Sequence, residues 1–371
     1  MHIQKIILVF GTRPEAIKMA PLVLKLKSNP KVNLKVCITA QHRQMLDQVL
    51  DFFEITPDFD LDLMKKNQSL NELASRILSS FDQVLETENP DWVFVHGDTT
   101  TSSLCALAAF HRKIKIAHVE AGLRTYDKDS PYPEEINRQI TGRLADLHFA
   151  PTRSSKDNLT REGVGEDQIM VTGNTVIDAL HLAVQKLDLG YHDDQINLLK
   201  SLIQPSKKLI TVTGHRRENF GEGFERICRA ILRLSQIPDV QIIFPVHLNP
   251  NVQKPVNDLL SGIDNINLID PLAYPAFVYL MKASYLVLTD SGGVQEEAPS
   301  LGKPVLVLRN NTERPEAIQA GTVKLVGTDS EIIYSSVTEL IENHQNYIAM
   351  STAYNPYGDG KAVERINNIF L

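Results

Sequence analysis

Residues 285–308, YLVLTDSGGVQEEAPSLGKPVLVL, carry the pattern that decides the fold. An apolar run, 285–288, ends in Thr289-Asp290-Ser291-Gly292-Gly293; a polar, helix-favouring segment (Gln295-Glu296-Glu297-Ala298) follows, and a second apolar run spans 305–308. Run, glycine turn, helix and run predict a βαβ unit. Its first turn lies at the carboxyl end of a strand, where open α/β sheets take their ligands. Ser291 suits an N-cap, and paired glycines admit a bulky anion to the backbone N–H groups at the positive end of a helix. Taken alone, the stretch fits a phosphate cradle and an ordinary strand-to-helix turn equally. The recurrence of acidic and basic residues after several other strands favours the cradle.

At 371 residues the chain exceeds what one hydrophobic core organises, which predicts two domains. Its 43% hydrophobic and 22% charged residues are ordinary for a globular protein. Lys+Arg 38 against Asp+Glu 45 leaves a net charge of -7, so no general attraction to nucleic acid or acidic membranes is expected. A polyanionic ligand must instead be held by a local basic cluster. Cys37, Cys105 and Cys228 lie far apart, which suits small core residues in a reducing compartment and excludes a thiolate zinc site. The amino-terminal apolar run is too short for a signal peptide and no stretch approaches membrane-spanning length, so a cytoplasmic location is expected.

The alternation continues in both directions from the opening stretch. A first strand, 5–10, turns through Gly11-Thr12-Arg13-Pro14-Glu15 into a helix, with Pro14 in the first turn where its missing N–H costs nothing. That turn has one glycine where a dinucleotide fingerprint wants three, although Arg13 and Lys18 lie close to the strand's carboxyl edge. The strand 91–96 stops at Gly97-Asp98-Thr99-Thr100; capping explains the hydroxyls better than it explains Asp98. The strand 115–119 ends in Glu120, and a helix over 134–144 sets Glu134 one turn from Arg138, the spacing of an exposed ion pair. Asp60-Leu61-Asp62 reads as surface, framed by neither a glycine turn nor a strand end.

A polar, weakly periodic stretch from about Leu187 to Lys208 reads as a domain boundary, after which a second αβ series begins. Its first strand, 209–213, leads into Gly214-His215-Arg216-Arg217; Gly221-x-Gly223 fails as a dinucleotide loop because Arg226 stands in place of the third glycine. Tyr274, Phe277 and Tyr279 share a helix, and Arg314 precedes another. The pattern predicts an α/β protein of two doubly wound domains facing a cleft that holds the ligand. By sign, the first half supplies Asp98, Glu120 and Glu134; the second supplies His215, Ser291, Gly292, Gly293 and Arg314. Carboxylates facing hydrogen-bond donors suit a phosphate-bearing ligand whose other end exchanges a proton. No His or Cys pair has metal spacing, and arginine with helix N–H groups can neutralise a diphosphate without a metal.

With these residues in view, the chain resembles the non-hydrolysing UDP-N-acetylglucosamine 2-epimerases of bacteria. FGTRPEAIKMAPLV, VHGDTTT, HVEAGLRT, PEEINR, TGNTVIDAL, TGHRREN, TDSGGVQEEAPSLGKPVLVLR, TERPEA and NPYGDG are similar to that family's blocks, in its order and over nearly the whole chain. The resemblance implies a glycosyltransferase-B architecture of two Rossmann-like domains, 1–175 and 176–355, with a terminal helix, 356–371, returning to the first. It implies reversible interconversion of UDP-N-acetylglucosamine and UDP-N-acetylmannosamine for cell-envelope polysaccharides, by a homodimer that needs no cofactor. UDP would leave by elimination and add back to a 2-acetamidoglucal intermediate. Carried over by block, Arg13, His215, Ser291, Gly292, Gly293 and Arg314 would hold the diphosphate, His215 also counting with the catalytic groups. Lys18 would bind the nucleotide sugar, Glu297 the ribose and Phe277 the uracil. Asp98, Glu120 and Glu134 would be the acid–base groups, with the division of labour among them open. Gln41, His42 and Gln44 match a region where some members bind a second, activating substrate molecule; the chain differs from members at Asn67, near that region, and at Leu272. A hydrolysing 2-epimerase releasing UDP and N-acetylmannosamine, and a non-catalytic nucleotide-sugar sensor, are the alternatives.

Overall fold

A computed structural model describes residues 3–40, 43–65, 68–312 and 314–370, with Gln44 described by its backbone alone. Gln41, His42, the Gln44 side chain and Asn67 lie outside the described residues. The chain forms two compact units, residues 1–182 with 357–371 and residues 183–356.

In the first unit β1 (Gln4–Phe10), β2 (Val32–Ile38), β3 (Phe59–Asp60), β4 (Trp92–His96), β5 (Lys115–Val119), β6 (Leu147–Ala150) and β7 (Ile169–Val171) form a parallel sheet in the order β3-β2-β1-β4-β5-β6-β7. In the second, β8 (Lys208–Thr213), β9 (Val240–Pro245), β10 (Ile266–Ile269), β11 (Leu286–Thr289), β12 (Val305–Val307) and β13 (Val323–Leu325) form another, in the order β10-β9-β8-β11-β12-β13. Helices connect the strands, so both sheet faces are covered and central strands read as unbroken apolar runs; Ile6 to Phe10 are fully buried. Each unit is therefore Rossmann-like. The strand order reverses between β1 and β4 in the first unit and between β8 and β11 in the second. Those two points are where this topology opens a crevice for a ligand. No helix among the described residues is long and apolar enough to cross a membrane.

Two local features depart from expectation. The polar stretch after Leu187 contains a helix, Asp194–Leu202, started by Asp193, whose carboxylate accepts from Ile196 N at 2.7 Å. The helix buries only Ile196 and Leu199, against Leu209, Ile243 and Leu280, too short a stripe to register as periodicity. Asp60 closes the two-residue edge strand β3, so the Asp60-Leu61-Asp62 pair does stand at a strand end. Arg43 Nη1 reaches both carboxylates there, at 2.5 Å from Asp60 and 3.8 Å from Asp62, which leaves them as exposed ion-pair partners.

The last helix, Ala362–Asn367, belongs to the first unit. Lys361 at its N-cap offers no capping bond, and Asp178 supplies it instead, accepting from Ala362 N at 3.2 Å and Val363 N at 3.0 Å. Phe370 then packs edge-on against Trp92 and beside Phe94, at centroid distances of 6.0 and 5.5 Å. Because Asp178 is buried, its removal leaves two N–H groups without a partner. Asp178→Ala should therefore cost about 1–3 kcal/mol in denaturant unfolding, and Asp178→Asn, which keeps an acceptor, clearly less.

Candidate active site

At the reversal in the first unit, the turn after β1 (Gly11-Thr12-Arg13) lies beside the turn after β4 (Gly97-Asp98-Thr99). Thr12 caps the helix Arg13–Lys27 in a capping box with Glu15. The Glu15 carboxylate is buried, and Oε2 accepts from Gly11 N at 3.0 Å and Thr12 N at 2.8 Å. Its Oε1 accepts from Thr99 Oγ1 at 2.7 Å, which ties the two turns together. Burial raises the Glu15 pKa, against the lowering effect of these donors. Glu15 was not among the expected site residues, although Thr12-x-x-Glu15 is a legible capping box.

The three expected acid–base groups share one electrostatic neighbourhood. Asp98 Oδ2 accepts from Arg138 Nη2 at 2.6 Å. Burial raises the Asp98 pKa and nearby Glu120 and Glu134 add to the rise, while Arg138 and Lys18 oppose it. Arg138 thus does not form the exposed pair with Glu134 that the helical spacing suggests. It is buried, bonded to Asp98 and 3.5 Å from Glu135 Oε2, because those acids face the sheet edge and Glu135 is fixed by Thr125 N and Tyr126 N. Glu134 Oε2 is buried with no hydrogen-bond partner among the described residues. Glu120 has left-handed backbone at φ 60°. Its Oε2 pairs with Lys18 Nζ, accepts from Asn174 Nδ2 at 2.8 Å and lies 3.7 Å from His96 Nε2. Arg13 begins the helix after β1, in the same turn that Glu15 fixes.

In the second unit a buried carboxylate occupies the corresponding place. Asp290 Oδ2 accepts from His215 N at 2.9 Å and Arg216 N at 2.8 Å, joining the turn after β8 to the turn after β11. His215 Nδ1 lies 3.4 Å from Asp290 Oδ1, and its ring stacks on His247 with centroids 5.5 Å apart. Burial pushes the His215 imidazole down in pKa, Arg216 and His247 push the same way, and Asp290 pulls against them. Ser291 stands at the N-cap of Gly292–Ser300, as expected, but its side chain makes no capping bond; its own N–H donates to Thr289 Oγ1 at 3.0 Å. A Cβ on Gly292 would fall 2.6 Å from Arg314 Nη1, so the missing side chain is what lets the guanidinium lie over the helix start. Glu296 Oε1 holds Arg314 Nε at 2.6 Å. Glu297 is buried and accepts from Tyr274 OH at 3.2 Å. Phe277 packs half-buried on the cluster around Leu272 and Leu280. Ser291, Gly292, Gly293 and Arg314 are therefore gathered at one helix start, with His215 on the neighbouring turn.

Two parallel sheets, each with polar and charged turns at its reversal in strand order, define a two-unit Rossmann-like enzyme of the glycosyltransferase-B type. The family description "UDP-N-acetylglucosamine 2-epimerase" matches residues 24–371. The chain is 56% identical over 375 residues to UDP-N-acetylglucosamine 2-epimerase of Campylobacter jejuni, covering 100% of this chain and 98% of that protein. It is similar to the crystal structure of UDP-GlcNAc 2-epimerase from Neisseria meningitidis bound to UDP-GlcNAc, with TM-score 0.90 and 54% identity over 98% of this chain and 99% of that one. The Methanocaldococcus jannaschii UDP-GlcNAc 2-epimerase in complex with UDP-GlcNAc and UDP is 35% identical, with TM-score 0.80 over 98% of this chain and 99% of that one. The chain belongs to the UDP-N-acetylglucosamine 2-epimerase family, and it is an isomerase.

Beneath the turns of the first unit lie His96, His118 and His148, on β4, β5 and β6. Burial lowers their pKa values to about 4, about 3 and about 4, from an ordinary value near 6.5. All are neutral in the fold at pH 7, whereas the unfolded chain binds protons on them below about pH 6.5. Their contribution to stability is complete above that value and is lost as pH falls toward 4. Raised groups such as Glu15 and Asp98 act in the opposite sense, since the fold retains their protons longer. Urea unfolding at pH 7.5, 6 and 5 should show declining stability. His148→Gln should flatten that slope by up to one proton, about 1.4 kcal/mol per pH unit.

Proposed function

We propose that the enzyme interconverts UDP-N-acetylglucosamine and UDP-N-acetylmannosamine without net hydrolysis. A carboxylate takes the proton from the sugar's 2-position while the C1–O bond breaks, so that UDP departs and a C1–C2 double bond forms in a bound 2-acetamidoglucal. A proton is then returned to C2 from the opposite face, and the UDP oxygen re-forms the bond to C1. The proton at C2 is weakly acidic, so charge has to build on the departing diphosphate, and its stabilisation is the largest electrostatic task.

The observation that carries this reading is the contrast among carboxylates at one sheet edge. Asp98 has a raised proton affinity, from burial and from its neighbours Glu120 and Glu134, while Glu120 is held by a cation and an amide donor. Groups in unlike environments can divide the roles of acid and base. For UDP, the reading uses the N–H groups at Gly292 and Gly293, the Arg314 guanidinium and the His215 imidazole for the diphosphate, Glu297 for the ribose and Phe277 for the uracil. Arg13 and Lys18 complete the nucleotide-sugar contacts. The binding of UDP-GlcNAc by the Neisseria meningitidis relative supports this assignment of substrate. The reading extends to a cytoplasmic homodimer that supplies UDP-N-acetylmannosamine for cell-envelope polysaccharides.

In deuterated water, NMR should find label at the sugar's 2-position with UDP still attached. Accumulation of UDP with free N-acetylmannosamine would identify a hydrolysing enzyme instead. Asp98→Asn and Glu120→Gln should each lower turnover by about a hundredfold or more while leaving UDP affinity within a few-fold; near-wild-type rates for both would end the acid–base assignment. Arg314→Ala should weaken UDP binding by about tenfold or more in calorimetry, the size of a lost charge-assisted hydrogen bond.

A further inference from the structure

The left-handed backbone of Glu120 is a conformation that a non-glycine residue keeps only where its surroundings enforce it. Its carboxylate needs holding as well, because the terminal torsion of a glutamate is broad and roughly two-fold. Lys18 reaches Oε2 from a long, flexible stem and cannot fix the carboxylate plane alone. Asn174 is differently built. It lies between β7 and the helix Thr175–Asp188, is almost wholly buried, and directs Nδ2 at Glu120 Oε2 while Oδ1 accepts from Val176 N at 3.1 Å. Both ends of the amide are therefore used, and its orientation is determined.

The backbone of Asn174 is fixed in turn by the end of the chain. Asn174 N donates to Tyr357 O at 2.6 Å. Gly358 has φ 144°, and a Cβ there would lie 3.5 Å from Asn174 N and 3.6 Å from Gly173 Cα, so the two segments lie backbone against backbone. Arg365 closes the arrangement, donating to Thr172 O at 2.8 Å and to both Asp359 oxygens at 2.8 and 2.7 Å. We propose that Asn174 is the positioning residue for Glu120, and that the carboxyl-terminal segment, through the Tyr357 carbonyl, sets where Asn174 stands. This rests on the reading of Glu120 as an acid–base group. On it, the last residues of the chain are part of the support of the acid–base site as well as of the core.

Asn174→Asp tests the point, because it keeps an oxygen for Val176 N and replaces only the donor facing Glu120. In the full-length enzyme kcat near neutral pH should fall about ten- to a hundredfold, the cost of a misplaced reacting group, with UDP affinity in calorimetry unchanged. As pH falls and the introduced carboxyl takes up a proton, it donates again, so kcat should partly recover and the pH optimum should move down; a packing role alone would lower the melting temperature without moving the profile. A wild-type kcat and pH profile would overturn the proposal. Should that variant fail to fold, Gly358→Ala strains the backbone at φ 144° next to the Tyr357 carbonyl without altering the Asn174 side chain, and should lower kcat with UDP affinity intact; an unchanged kcat would overturn the role of the segment. Glu120→Gln assayed alongside separates the two ideas. If it keeps wild-type turnover, the acid–base reading fails and the positioning role falls with it. If it is inactive while Asn174→Asp is wild type in rate and profile, only the positioning role fails.

Discussion

A buried carboxylate that ties two adjacent turns together through the hydrogen bonds it accepts is the constraint on which each unit's site depends. Burying a carboxyl group costs several kcal/mol unless donors surround it, so the backbone must come to it. In the first unit Glu15 gathers Gly11 N, Thr12 N and the Thr99 hydroxyl; in the second Asp290 gathers His215 N, Arg216 N and, at 3.3 Å, Asn219 Nδ2. The two acids come from different elements, one from the first turn of a helix and one from the end of a strand. In both units a reversal in strand order sets two turns side by side, and an acidic side chain on one of them reaches donors that hold the pair together.

With the turns fixed, the electrostatics follow from what each turn carries. In the first unit burial raises the proton affinity of Asp98, Glu120 and Glu134 lie close enough to add to the rise, and Arg138 and Lys18 oppose it. The second unit places Gly292 where no side chain can obstruct and lays Arg314 over it, with Glu296 fixing Nε. The planar fork of a guanidinium matches phosphate oxygens in shape. On the proposed reading, the acids serve proton exchange and the donors an anion.

Elements with strong local signals were legible. The βαβ pattern around Gly292-Gly293, the helix over 134–144 and the charged strand ends were readable from runs, glycines and spacing, because those features are local. Partner choice was not. The four-residue spacing of Glu134 and Arg138 suggests a surface pair, yet Arg138 turns inward to Asp98, forty residues away in sequence. Ser291 stands where a cap belongs, but its hydroxyl makes no capping bond; Thr289 instead accepts Ser291's own N–H. Asn174 and Glu15 carry no charge pattern or motif of catalysis; what they do depends on which distant segments the fold brings to them. The helix Asp194–Leu202 buries too few residues to show a period.

The row of histidines under the first unit's acids has a consequence for their chemistry. His118 Nε2 bonds the carbonyl of Gly97, the residue before Asp98, at 2.7 Å, and His96 Nε2 lies 3.7 Å from Glu120 Oε2. Cations at these positions would stabilise both carboxylates as anions, and with Lys18 and Arg138 already present the balance would tip against holding a proton. Buried between strands, the imidazoles stay neutral and act as oriented dipoles only. His118 supplies a polar bond to the turn and none of the three supplies charge, which leaves the raised proton affinity of Asp98 intact. A lysine or arginine in place of His118 could bond the same carbonyl but would add a charge that opposes the raised proton affinity of Asp98.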